Sequence, residues 1–260
     1  MTIPQSLQQA AAKASETSAL LQDPAALRQT NKPQLRRYEV SSLLPNGEIA
    51  ETRHIAPALP IFEDAFCAFT RGSLVETTTG PVAVEDLLPG DEIITQEGGP
   101  QPLIWKGSTS LVPSRADAKG RTHRLTSFMA DSLGLQKPTS CVVTGPSARL
   151  LRMPPDMRVS PDAPLLLTLA EEFRDGMNIF ETAPPTVVDM FHLCLPEHAV
   201  INVGGLEFET YHPGPDALKL VSHAIKTLYL NLFSHVDSLA GFGPLAYGRA
   251  DRMSDGSLRG

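Results

Sequence analysis

The sequence predicts a mainly β, largely antiparallel fold with a C-terminal α-helix and an N-terminal extension. Short β-branched and apolar runs recur from Phe66 to about His212, and Gly or Pro separates them too often for helices to form. The chain holds 23 prolines and 19 glycines, which suits strands and turns better than a helical bundle. After Pro215 the apolar period changes to that of a helix. Leu218, Val221, Ile225, Leu228, Leu232, Val236 and Leu239 form a stripe, with Asp216 as the expected N-cap and Gly241 near the C-cap.

Taken in order, residues 4–30 are rich in Ala, Gln and Leu, and the thin stripe Leu7, Ala11, Ala14, Leu20, Leu21 predicts a marginal helix. Pro45-Asn46-Gly47 is a turn signal between Tyr38-Glu39-Val40 and Glu48-Ile49-Ala50, so a small hairpin is expected, then a linker through Pro57 to Pro60. Residues 1–63 thus form the extension, 64–215 the main domain and 216–260 the helix and a polar tail. In the main domain, Ser73–Thr78 and Val82–Val84 read as a hairpin across Thr79-Gly80-Pro81. Pro89-Gly90-Asp91 turns the chain into Ile93–Thr95, and Gly98-Gly99-Pro100 turns it into Pro102–Lys106. Residues 106–140 read as an inserted loop with a helical turn from Thr126 to Leu133. Further strands are expected at Cys141–Val143, Leu150–Arg152, Leu165–Thr168, Val187–Leu195 and Ala199–Val203.

A hydrophobic fraction of 42% is enough for a core, and a net charge of -7 with scattered Lys and Arg argues against a nucleic-acid or anionic-membrane surface. No apolar run reaches the ~18–20 residues that cross a bilayer, so no membrane insertion is expected. Met1 to Gln9 lacks the pattern of a secretory signal, which leaves the cytoplasm as the default location. The three cysteines, Cys67, Cys141 and Cys194, are too few and too widely spaced for a disulfide framework. Cys141 and Cys194 lie in β-type runs and read as core. No Cys-x-x-Cys pair is present, and His192, Cys194 and His198 lack a nearby fourth ligand, so neither metal nor cofactor is predicted. His123 sits among charges and is expected at the surface. Any partner would be an unidentified protein.

Three segments resemble a bacterial Hint (Hedgehog/intein) domain family. The first runs Cys67-Ala68-Phe69-Thr70-Arg71-Gly72-Ser73-Leu74-Val75 through Val84-Glu85-Asp86-Leu87-Leu88-Pro89-Gly90-Asp91. The second is Met157–Leu167, containing Ser160-Pro161-Asp162-Ala163. The third is Asp189–Ile201 with Gly205-Leu206 and Tyr211-His212-Pro213-Gly214. The resemblance covers roughly residues 64–215. It implies a β-horseshoe in which the first and last strands meet. It also implies chemistry in which a Cys thiol attacks the preceding amide to give a thioester, while a Thr/Ser-x-x-His motif polarises that amide and protonates the leaving nitrogen.

The chain departs from that pattern. If Phe69 matches the family's Phe, the nucleophile position is Ala68, and Cys67 lies one residue early. Adjacent strand side chains face opposite ways, so Cys67 points away unless the chain kinks. Ala163 stands where His is expected, and Glu209 and Thr210 stand where inteins carry His-Asn, which removes splicing. Asp162 could replace the acid, but its ordinary pKa near ~3.9 is poorly matched to protonating an amine. The candidate catalytic residues are Cys67, Ser160 and His198. Two readings follow: a domain with lost or residual autoprocessing that acts as a folded binding or scaffold module, or one that cleaves itself at Phe66-Cys67. A bland reading of Cys67 stands beside both, as a small buried apolar residue.

Overall fold

The structure, a computed structural model, describes residues 34–111, 124–155, 165–183, 185–219, 221–252 and 258–259. The N-terminal helix expected over residues 4–30, His123 and the segment Ser160–Ala163 fall outside these. The fold is mainly β, as the punctuated strand pattern requires. One sheet has the order β13-β9-β10-β3-β14-β8-β1-β2. Its strands are β1 (Leu35–Leu43), β2 (Ile49–Pro57), β3 (Phe69–Thr70), β8 (Trp105–Leu111), β9 (Leu125–Phe128), β10 (Val142–Thr144), β13 (Ile179–Thr182) and β14 (Val188–Cys194). The other has the order β12-β11-β16-β15-β4-β6-β7, with β5 paired to β4. Its strands are β4 (Leu74–Thr77), β5 (Gly80–Ala83), β6 (Glu92–Thr95), β7 (Gly99–Pro102), β11 (Arg149–Leu151), β12 (Leu167–Leu169), β15 (Val200–Val203) and β16 (Leu206–Glu209).

The Asn46-Gly47 turn forms as its chemistry demands, with Gly47 at φ 82°. The hairpin it joins is longer than the sequence suggested, because β1 also pairs with β8, from Tyr38 opposite Thr109 to Ser42 opposite Trp105. The hairpin is therefore an integral edge of the first sheet. A first apolar cluster, including Phe69, Phe128, Phe191, Ile201, Val203 and Phe208, draws on both sheets and fills the space between them. A second covers the opposite face of the first sheet, where Tyr38, Trp105 and Cys194 meet Phe62, Tyr229 and Phe233. Phe62 comes from the single-turn helix α1 (Pro60–Glu63).

Three expectations are corrected. Thr126–Leu133 is not a helical turn: Leu125–Phe128 is a strand between β10 and β13, and turns follow it. Four consecutive buried residues there carry no alternation that separates strand from helix. The C-terminal helix α2 spans only His223–Leu230, capped by the Ser222 hydroxyl, which accepts from the Ile225 amide. The stripe beyond it is real as burial, but Leu232, Phe233 and Val236 reach the core from irregular chain. Cys141 is exposed, because it precedes β10 and lies outside the ladder.

Candidate functional site

The entrance to β3 is irregular. The Ala68 amide donates to the carbonyl of Phe191, the residue that also pairs with Phe69. Two residues oppose one, which is a bulge, and Ala68 and Phe69 both belong to the first apolar cluster. Cys67 belongs instead to the second cluster, with Phe62, Phe66 and Trp105. The kink exists, but it turns Cys67 away from Ala68. The thiol is fully buried, and burial, with Glu63 adding to it, pushes its pKa far above the ordinary range. A thiol so placed supplies no thiolate.

The peptide between Cys67 and Ala68 is gripped from one side. The Cys67 carbonyl accepts the Ser147 amide at 3.2 Å, and the Ala68 carbonyl accepts the Gly145 amide at 2.8 Å. A Cβ on residue 145 would lie 2.0 Å from the Cys67 oxygen, so the close approach requires glycine there. The strand-turn-strand that meets Cys67 is therefore Thr144-Gly145-Pro146-Ser147-Ala148-Arg149. Of the segment Met157–Leu167, to which the resemblance gives that motif, residues 157–164 lie outside the described residues. Gly145-Pro146 between two short apolar runs is the sequence signal of the turn seen at Cys67. Ala148, buried at 1% exposure, carries no proton donor.

Beside this turn lies a buried polar cluster. Glu209, at the end of β16, is 3% exposed. Arg249 donates to it from Nε at 3.2 Å and from Nη2 at 3.1 Å, and Nη2 also reaches the His212 carbonyl at 2.6 Å. Arg149 Nε stands 3.5 Å from one Glu209 oxygen and His198 Nε2 3.5 Å from the other. Burial alone would raise the Glu209 carboxyl, but His198 and the two guanidinium groups outweigh it and hold the pKa below its ordinary value. Residues far apart in sequence build this cluster, so only the finished fold reveals it.

Three histidines share one device here. Each Nδ1 accepts a backbone amide, from Leu193 to His192, from Ala246 to His198 and from Gly214 to His212. That leaves the ring proton on Nε2. His212 Nε2 then donates to the Gly243 carbonyl at 3.0 Å, and His198 Nε2 faces Glu209. His192 is 1% exposed, and its ring packs edge-on to Phe69 and Tyr211. Desolvation drives its pKa down to about 3, so it is neutral at ordinary pH. A cavity of about 340 Å³ opens between these elements, walled by Asp64, Ser147, Arg149, His192, Glu209 and Arg249. On the cavity wall, desolvation raises the Asp64 carboxyl pKa to about 6 against the pull of Arg149.

Of the residues singled out by sequence, His198 lies in this cluster and Cys67 beside it with its side chain averted; Ser160 is outside the described residues. Thr210 is tied to Ala199 by its hydroxyl and amide, a structural role. Among the described residues no three His, Cys, Asp or Glu side chains converge as metal ligands, and no helix is long and apolar enough to cross a membrane. The arrangement can hold a peptide carbonyl with a backbone amide, but Ala68 and Ala148 offer that peptide neither a nucleophile nor an acid.

No curated protein matches the chain. The solution structure of a bacterial intein-like domain from Clostridium thermocellum is similar at 13% identity and a TM-score of 0.40, over 56% of this chain and 99% of that one. The family model of the Hint domain matches residues 67–215, beginning at Cys67 and ending just after the Tyr211-His212-Pro213-Gly214 turn. With more than half of its length matched, the chain belongs to the Hint-domain family.

Proposed function

We propose that this Hint domain has lost autoprocessing and works as a folded binding or scaffold module. The observation that carries the reading is the Cys67–Ala68 peptide. Its carbonyl is held by the Ser147 amide, but the side chain that would attack it is a methyl group and the thiol next to it is buried among aromatic rings. Loss of one general acid or base removes ~10²–10⁴ in rate, and here the nucleophile and its proton donor are both missing.

Intact mass of freshly purified protein, with and without hydroxylamine or a strong thiol, tests this. A single species near 28.0 kDa under every condition is expected. A fragment beginning at Cys67 that disappears in Cys67→Ala would overturn the reading. It would establish the alternative, in which the Cys67 sulfur takes the acyl group of Phe66 and releases the amine.

A further inference from the structure

The first sheet ends in an open edge. Strand β2 is its last member and, among the described residues, pairs with β1 alone. It runs for nine residues, whereas protected edges are kept short. Hydrogen bonds at the two ends of the hairpin fix which groups face outward. Leu44 donates to the Glu48 carbonyl and Ala58 to the Gln34 carbonyl, both at 2.8 Å, while Leu43 donates to Ile104 on the β8 side. Even-numbered residues of β2 therefore bond to β1, and the N–H and C=O of Ile49, Glu51, Arg53 and Ile55 point away from the sheet. Their side chains share one face, which carries two exposed isoleucines, Ile49 at 44% and Ile55 at 40%.

This edge is complementary to a copy of itself. An antiparallel two-fold axis through Thr52 sets Ile49 opposite Ile55, Ala50 opposite His54 and Glu51 opposite Arg53, and each pair recurs across the axis. Outward-facing residues then oppose one another, so each such pair exchanges both backbone hydrogen bonds. Moving the axis by one residue sets Glu51 against Glu51 or Arg53 against Arg53, and like charges directly opposite are destabilising. Arg53 already bonds Glu39 at 3.3 Å, but its side chain is 78% exposed and keeps donors for a second carboxylate. Charges on an edge normally repel a partner strand; here they select one register. We propose that β2 pairs with β2 of a second copy of this chain, antiparallel about Thr52, and joins the two first sheets into one. The pairing is independent of the Cys67 peptide, because β14, β8 and β1 lie between β2 and β3.

Sedimentation equilibrium of the full-length protein, from micromolar to millimolar concentration, tests this. A reversible rise in mass from 28.0 kDa to twice that value is expected. Glu51→Lys and Arg53→Glu, each alone, put like charges into both cross-strand pairs and are expected to weaken association roughly tenfold or more. Mixing the two variants restores opposite charges in both pairs, so a heterodimer of wild-type strength is expected. Amide exchange followed by NMR needs no variant: the Glu51 and Arg53 amides slow as the wild-type protein is concentrated, while Thr52, bonded to β1, is protected throughout. A mass of 28.0 kDa at every concentration would overturn the proposal. So would a dimer that both single variants leave intact, or a mixture that associates no better than either variant alone. Slow Glu51 and Arg53 exchange at every dilution would place a segment of the same chain on the edge, and would equally exclude the second copy. Should a variant fail to fold, the exchange measurement decides alone.

Discussion

At the scale of single residues, the site is defined by what two positions lack and one position hides. Cys67 and Cys194 are buried, and burial raises both thiols; Cys141 is exposed. Iodoacetamide is therefore expected to modify one cysteine of the native protein, Cys141, and all three after unfolding, as peptide mapping will read. Early modification of Cys67 would contradict the packing. Glu209→Gln removes the buried carboxylate that Arg149 and Arg249 share and is expected to cost about 3 kcal/mol or more, measured by urea unfolding. Acid should destabilise the fold before the carboxylates titrate. His192 and His235 have folded pKa values of about 3 and about 4, both lowered by desolvation, against ~6.5 unfolded. As pH falls below ~6.5 the unfolded chain takes up protons that the folded one refuses, so each histidine removes about 1.4 kcal/mol per pH unit. Asp64, raised to about 6, works in the opposite direction and offsets one of the two histidines, which leaves a net loss. Urea midpoints should be level above pH 7 and fall from pH 6.5 to 4, less steeply in His192→Phe. A level profile throughout would refute the assignment. That Cys67 faces away from Ala68 was legible in their adjacency, because strand alternation is a local rule. The seating of His192 was not, because its ring packs on Phe69 and Tyr211, from distant parts of the chain.

At the scale of elements, turn chemistry was the most readable feature. Asn46-Gly47, Thr79-Gly80 and Pro89-Gly90 all turn the chain where their dipeptides indicate, with Gly47, Gly80 and Gly90 at positive φ. Helix length was the least readable. The apolar stripe from Leu218 to Leu239 measures burial, and a buried irregular segment produces the same stripe as a long helix. What holds this segment is aromatic. Phe233 stacks on Trp105 at 4.8 Å and on Tyr211 at 5.5 Å, and the Trp105 indole donates to the Leu232 carbonyl at 2.7 Å. Phe233→Ala is expected to cost about 3–5 kcal/mol. Trp105 is the only tryptophan, so its emission reports the change directly, as an earlier red shift in urea.

At the scale of the molecule, the family match ends at residue 215 while the core does not. Leu218, Ile225, Tyr229, Phe233 and Phe242 all complete the second cluster. A chain ending at Pro215 is thus expected to expose Trp105 and Tyr211, to bind the dye ANS and to unfold at lower urea than the full chain; unchanged stability would show the C-terminal segment to be an appendage. The mainly β, antiparallel architecture was readable because Gly and Pro punctuate short β-type runs many times over. The polar cluster was not, because each of its residues is ordinary alone and becomes a site only by long-range closure. Arg249 gives that closure a direction in time. It is 40 residues downstream of the carboxylate it clasps, so during synthesis Glu209 leaves the ribosome well before its principal counter-ion does. A growing chain must keep that carboxylate in water or seat it beside Arg149 and His198 alone, and the cavity takes its final form only once Arg249 has been translated.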